Sequence, residues 1–141
     1  MDINDAIKTA NENLNCSLAT IDGDQPRVRI VQFWYADETG FYFQIGGMKD
    51  MYKQIQENPK IEACFFEQND MGGKLLRVAG NVEFLDDEET KKRCIKERPF
   101  LKELFGMDYD DPNLIIFRIS TGQAYFWTPQ LNLEPKHFIE F

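Results

Sequence analysis

The run Phe43-Gln44-Ile45-Gly46-Gly47-Met48-Lys49 joins a strand-like segment to the start of a helix through two glycines. Free N–H groups and the positive end of the helix dipole make such a junction suited to an anion, a phosphate above all. Lys49 adds charge there, and Lys53 follows one turn later. Arg27 and Arg29 protrude from an adjacent strand and are within reach of the same place. Alternation along that strand puts Arg29 on one face with Val31, Phe33 and Tyr35, an otherwise apolar face. A guanidinium in such surroundings calls for an anionic partner. That partner is either a ligand's phosphate or an Asp or Glu on a neighbouring strand.

Other chemistry has little support. Cys16, Cys64 and Cys94 are widely spaced with no CxxC, and His137 is the only histidine, so neither a thiolate zinc site nor a redox dithiol is indicated. A hydrolytic triad would have to run through His137, which lies in a proline-flanked tail. Asp86-Asp87-Glu88-Glu89 reads as the acidic first turn of a helix, followed by Lys91-Lys92-Arg93. Asp108, Asp110 and Asp111 lack the spacing and closing glutamate of a calcium loop.

The elements that must hold the junction are legible from pattern. Ile3, Ala6, Ile7 and Ala10 repeat at helical spacing behind Asp2, predicting a helix over 3–13. Strands are expected over 16–21, 27–36 and 41–45, joined by the tight turns 22–26 and 37–40 into an antiparallel meander. A helix starting near Met48 or Lys49 stops at Asn58-Pro59. Strands over 60–68 and 74–85 follow, the second with Gly80 marking a bulge or bend. A charged helix capped by Asp86-Asp87 runs to about Arg98, a short one covers Phe100–Phe105, and the chain ends on a hairpin across Thr121-Gly122. The fold class expected is mainly β with peripheral helices: a small six-stranded antiparallel barrel forming one domain over 1–141, with 129–141 as a tail.

Composition sets the outer bounds. The chain has 141 residues, 43% of them hydrophobic and 28% charged, which suits a single globular domain. With 24 acidic against 16 basic residues the net charge is −8, which repels nucleic-acid backbones and excludes general nucleic-acid binding. No apolar run approaches the ~20 residues of a membrane span, and Met1-Asp2-Ile3-Asn4-Asp5 is not the start of a secretory leader, so a cytoplasmic location away from membranes is expected. The 12 Phe, 5 Tyr and 2 Trp suit a Phe-rich sheet core and the walls of a flat ligand pocket.

Taken in order, several segments resemble the FMN-binding split-barrel family named for pyridoxamine 5′-phosphate oxidase. They are Ser17-Leu18-Ala19-Thr20 with its Asp22-Gly23 turn, Arg27-Val28-Arg29-Ile30-Val31, Phe41-Tyr42-Phe43, Lys49 through Pro59, and Leu76-Arg77-Val78-Ala79-Gly80. The likeness spans about residues 3–128 and is nearest the short bacterial and archaeal members, some of them nitroimidazole-reductase-like. It implies a split β-barrel that forms a homodimer with FMN at the subunit interface. By the same resemblance Arg29 and Lys49 would contact the FMN phosphate, and Ile30, Val31 and Gln32 would line the isoalloxazine edge. Gln44 and Ile45 would fall beside the phosphate, and Trp127 would pack at the flavin from either subunit. The activity implied is an FMN-dependent oxidoreductase passing electrons between small-molecule donors and acceptors. Three departures separate the chain from true oxidases of pyridoxamine phosphate. Trp34 replaces a lysine, Ile45 replaces a hydroxyl-bearing residue, and the C-terminal arginine–histidine substrate motif is absent, with Gln130-Leu131-Asn132-Leu133-Glu134 in its place. The alternatives are a non-catalytic module for haem or a deazaflavin, with His137 the sole axial ligand available to haem, and a ligand-free structural dimer.

Overall fold

The computed structural model describes residues 1–141. Helix α1 (Ile3–Glu12) opens on a capping box: the Asp2 carboxylate accepts the Asp5 N–H at 3.1 Å, and the Asp5 carboxylate accepts the Asp2 N–H at 2.7 Å. Strands β1 (Asn15–Asp22), β2 (Gln25–Asp37) and β3 (Gly40–Gly46) form the expected meander. Helix α2 (Asp50–Glu57) leads to β4 (Lys60–Glu67), β5 (Lys74–Asn81) and β6 (Glu83–Leu85). Helices α3 (Glu88–Glu97) and α4 (Phe100–Phe105) precede β7 (Leu114–Ile119), β8 (Gly122–Trp127) and the short β9 (Ile139–Glu140). All neighbours pair antiparallel in one curled sheet, in the order β6-β7-β3-β2-β1-β4-β5-β8-β9. This is a split barrel.

The strands number nine rather than six. The closing hairpin supplies two full strands, the tail returns as β9 beside β8, and the single strand expected over 74–85 is two. It breaks at Val82, whose N–H donates to Pro59 O, so β5 pairs with β4 and β8 while β6 crosses to β7 on the other half. Gly80 is not a bulge, since pairing runs through it without interruption. A Cβ there would lie 2.4 Å from Ile119 Cγ2 and 2.7 Å from Thr121 O, so the small residue serves the close approach of the β7–β8 corner.

Inside the curl, Phe33, Phe43, Phe65 and Phe117 are fully buried, with Phe33 edge-on to Phe43 and Phe65 at 5.2 and 5.0 Å between centroids. Each such ring contributes roughly 1.5–3 kcal/mol by burial, which favours this register over a one-residue slip. A smaller core on the outer side of β3 and β7 packs Trp34, Tyr42, Leu114 and Ile116 against Cys94 of α3, Leu101 of α4 and Met107.

The two cores meet at a bulge in β2. Phe33 opposes Phe43 and Tyr35 opposes Tyr42, so Trp34 is an extra residue on β2. Arg27, Arg29, Val31 and Phe33 share a face as alternation predicts, but the bulge turns Tyr35 to the other side, where it stacks on Tyr42 at 4.4 Å. Carbonyls displaced by the bulge are satisfied by Arg98, which donates to both Phe33 O and Trp34 O.

Candidate functional site

Beyond the Phe33–Phe43 pair, β2 and β3 part company. Residues 25–32 of β2 pair only with β1, while Gln44, Ile45 and Gly46 of β3 pair only with β7. The Phe33 N–H donates to Leu14 O on the β1 side. Alternate residues of an antiparallel strand point their polar groups to opposite sides, so the N–H and C=O of Val28 and Ile30 face the gap. A groove of about 1280 Å³ occupies it, bounded by β2, the end of β3, the start of α2, and α4 with Met107.

Arg29 enters this groove from β2, and no carboxylate pairs with it. Its Nη1 donates to Thr20 Oγ1 at 2.7 Å and Leu18 O at 3.2 Å, and its Nη2 donates to Gln54 Oε1 at 2.8 Å. Gln54 Oε1 also accepts the Thr20 hydroxyl at 2.6 Å, so two buried neutral side chains orient the guanidinium without neutralising it. Burial, and then the neighbouring Arg27 charge, pull the Arg29 pKa below the ordinary arginine value, although it remains a cation at neutral pH. Arg27 itself turns to Asp22 at 3.3 Å. Of the two partners open to Arg29 at the level of sequence, an acid of its own chain is therefore ruled out.

The glycine junction borders the same groove. Helix α2 starts at Asp50, slightly later than expected, because Gly46 to Lys49 form a turn in which the Lys49 N–H donates to Gly46 O. Lys49 is the N-cap residue and offers no side-chain cap, and its own side chain is exposed without an ion-pair partner. Gly47 packs on β7: its N–H donates to Asn113 O at 2.8 Å, and a Cβ would lie 3.2–3.3 Å from Asn113 and Ile115. Lys53, one turn on, is exposed and is not among the groove residues.

Of the residues singled out from sequence, Arg29, Ile30, Val31, Gln32, Gln44, Ile45 and Lys49 all line the one groove. Trp127 does not. It lines a separate cavity of about 260 Å³ with Arg77, Tyr125, Lys136 and His137, and its indole N–H donates to Asn132 Oδ1 at 3.0 Å. The two places are nevertheless on one side of the sheet. Ile30, Ser17, Cys64, Arg77 and Tyr125 lie opposite one another in register across β2, β1, β4, β5 and β8. Helices α3 and α4 pack on this side of β2 at Trp34, but farther along the strand Val28 and Ile30 are 70% and 67% exposed.

Sequence reading missed Thr20 and Gln54. Thr20 alternates inward on β1 and Gln54 follows Met51 on the inner side of α2, so both buried polar positions were there to notice. Their convergence on Arg29 was not. Trp34, which the resemblance sets against a lysine, is 4% exposed and belongs to the outer core, donating its indole N–H to Glu97 at 3.2 Å.

Comparison with known proteins bears on this groove. The family model of pyridoxamine 5′-phosphate oxidase matches residues 3–128, so the chain belongs to that family. A NimC/NimA family protein from Clostridium acetobutylicum is 25% identical, with a TM-score of 0.79 over 98% of this chain and 91% of its own. General stress protein 26 from Bacillus anthracis superposes over 100% of both chains with a TM-score of 0.72 at 16% identity. A FAD-binding protein from Mesorhizobium loti is 20% identical, with a TM-score of 0.69 over 89% of this chain and 94% of its own. This chain thus shares its fold with a protein that binds FAD. Among curated proteins no sequence match is found.

Proposed function

We propose that this member of the pyridoxamine 5′-phosphate oxidase family is an FMN-binding oxidoreductase that acts on a small molecule, with the flavin held in the groove between β2 and β3. The observation that carries the reading is Arg29, a cation oriented by Thr20, Gln54 and Leu18 O and left without a carboxylate in a groove that the start of α2 also lines. An anionic ligand group supplies what the chain withholds, and the donors left on Arg29 are those of a phosphate-binding fork. Lys49 and the free N–H groups opening α2 add to the same pole. The polar backbone groups of Ile30 on the unpaired edge of β2 suit the hydrogen-bonding rim of a flat heterocycle, with Val31, Gln32, Gln44 and Ile45 around it. The residues present therefore fit an FMN.

When bound, the flavin would supply hydride and electron transfer between a nicotinamide or other small donor and an acceptor. The chain's part is to bind and orient it, to exclude water along the apolar wall of Leu101 and Met107, and to tune it electrostatically. No side chain is assigned as an acid or base.

The exposed stretch of β2 carrying Val28 and Ile30 supports a two-fold homodimer, in which a second copy closes the groove and brings the partner's Trp127 toward the flavin. Trp127 and Ile30 lie on the same side of the sheet but several strands apart, which is the separation a partner would bridge. The test is the visible spectrum of the purified protein before and after addition of FMN and desalting, with the molecular mass measured in parallel. About one flavin per chain on a dimer is expected. A featureless spectrum after reconstitution refutes the reading.

A further inference from the structure

Gln44 lies on β3 opposite Ile116 and is 7% exposed, and its Oε1 is covered and has no hydrogen-bond partner anywhere in the chain. No other buried side-chain oxygen or nitrogen is left in this state. A buried polar atom without a partner is costly and calls for a cause. The residue lines the groove and the torsion of its terminal amide is soft, so a turn of the carboxamide presents that oxygen to an occupant.

The groove is polarised around it. Arg29, Thr20 and Gln54 lie on the α2 side of β2. Alternation along β3 sets Gln44 on the opposite side, with Tyr42, where Leu101 and Met107 form an apolar wall. A ligand spanning the groove thus presents an anion at one end and, at the other, a flat apolar body with a polar edge. A carboxamide carries one acceptor and one donor group in a single plane. Its complement is an edge with an N–H beside a C=O. On a flavin that edge is the N3–H with its adjacent carbonyl.

We propose that the Gln44 carboxamide reads the pyrimidine edge of the bound flavin, its oxygen accepting the ring N–H and its NH2 donating to the neighbouring carbonyl. This rests on the flavoprotein reading above. It makes Gln44 a specificity residue for the heterocycle, independent of the phosphate pole.

The experiment titrates wild type, Gln44→Leu and Gln44→Met with FMN and with N3-methyl FMN, and measures the thermal unfolding of each ligand-free protein. Wild type is expected to bind FMN at least tenfold more tightly than the N3-methyl analogue. Both variants are expected to lose at least tenfold in FMN affinity and to bind the two ligands alike. Their ligand-free forms should melt no lower than wild type, because an unpartnered buried oxygen has been removed. A residue kept only for packing would not separate stability from affinity in this way. Variants that bind FMN as wild type does, or that keep the full preference for FMN, overturn the assignment while leaving the flavoprotein reading intact. A wild type that retains no FMN refutes that reading, and this inference with it.

Discussion

Truncating Arg29 to alanine isolates the phosphate pole. In the ligand-free chain the guanidinium makes three hydrogen bonds, all to neutral oxygens. Removing it leaves no stranded carboxylate, and Gln54 Oε1 keeps the Thr20 hydroxyl at 2.6 Å. Relief of a partly buried positive charge offsets part of the loss, so the change in folding stability should stay within about 1 kcal/mol. Ligand affinity behaves differently, because hydrogen bonds to a charged group contribute about 1.5–3 kcal/mol, equivalent to roughly 10- to 150-fold in Kd. The contrast that makes this decisive is FMN against riboflavin, which shares the ring and ribityl chain and lacks the phosphate. Titration followed by quenching of flavin fluorescence should show Arg29→Ala weakening FMN by that factor and leaving riboflavin within about twofold. Raising the salt concentration should narrow the wild-type preference for FMN, since part of it is ionic. An equal loss for both flavins would mean that Arg29 shapes the groove rather than holding an anion. No loss for either would remove Arg29 from the site.

Two further outcomes test the frame around the groove. Glu83 holds β6 to β7 through Arg118, at 2.9 and 3.1 Å, and accepts the Ser120 hydroxyl at 2.8 Å. The Arg118 bond first, and then Ser120, lower the Glu83 carboxyl below its ordinary range, so its stabilisation is full above the unfolded carboxylate pKa of about 4.3 and is lost as pH falls through the lower folded value. The pair is partly exposed and contributes within about 1 kcal/mol. In urea unfolding, the gap between wild type and Glu83→Gln should therefore be open at pH 6 and should close toward pH 3, and a gap that does not close refutes the assignment. Burial pushes the thiols of Cys16 and Cys94 up to about 12, and Cys64 is raised as well. Ellman's reagent at pH 8 should find no fast thiol in the folded protein and three in denaturant, and two fast thiols in the folded state would contradict this packing.

The elements were written in local pattern. Helical spacing behind Asp2, the tight turns at 22–26 and 37–40, and the glycine pair before α2 follow from short-range sterics and hydrogen bonding, which neighbouring residues determine among themselves. The groove set was legible for the same reason: Arg29, Gln44 and Lys49 stand close together in sequence, on two paired strands and the helix after them. What tertiary structure decided is everything that depends on a distant partner. The bulge at Trp34 exists because two cores on opposite sides of β2 each claim an aromatic ring, and Arg98, far along the chain, satisfies the carbonyls it frees. The break at Val82 arises because β5 and β6 find different neighbours. The neutral cradle of Arg29 needs Thr20 from β1 and Gln54 from α2 to converge on one guanidinium. Alternation along a strand says which face a side chain takes, whereas long-range packing alone determines which groups meet it there.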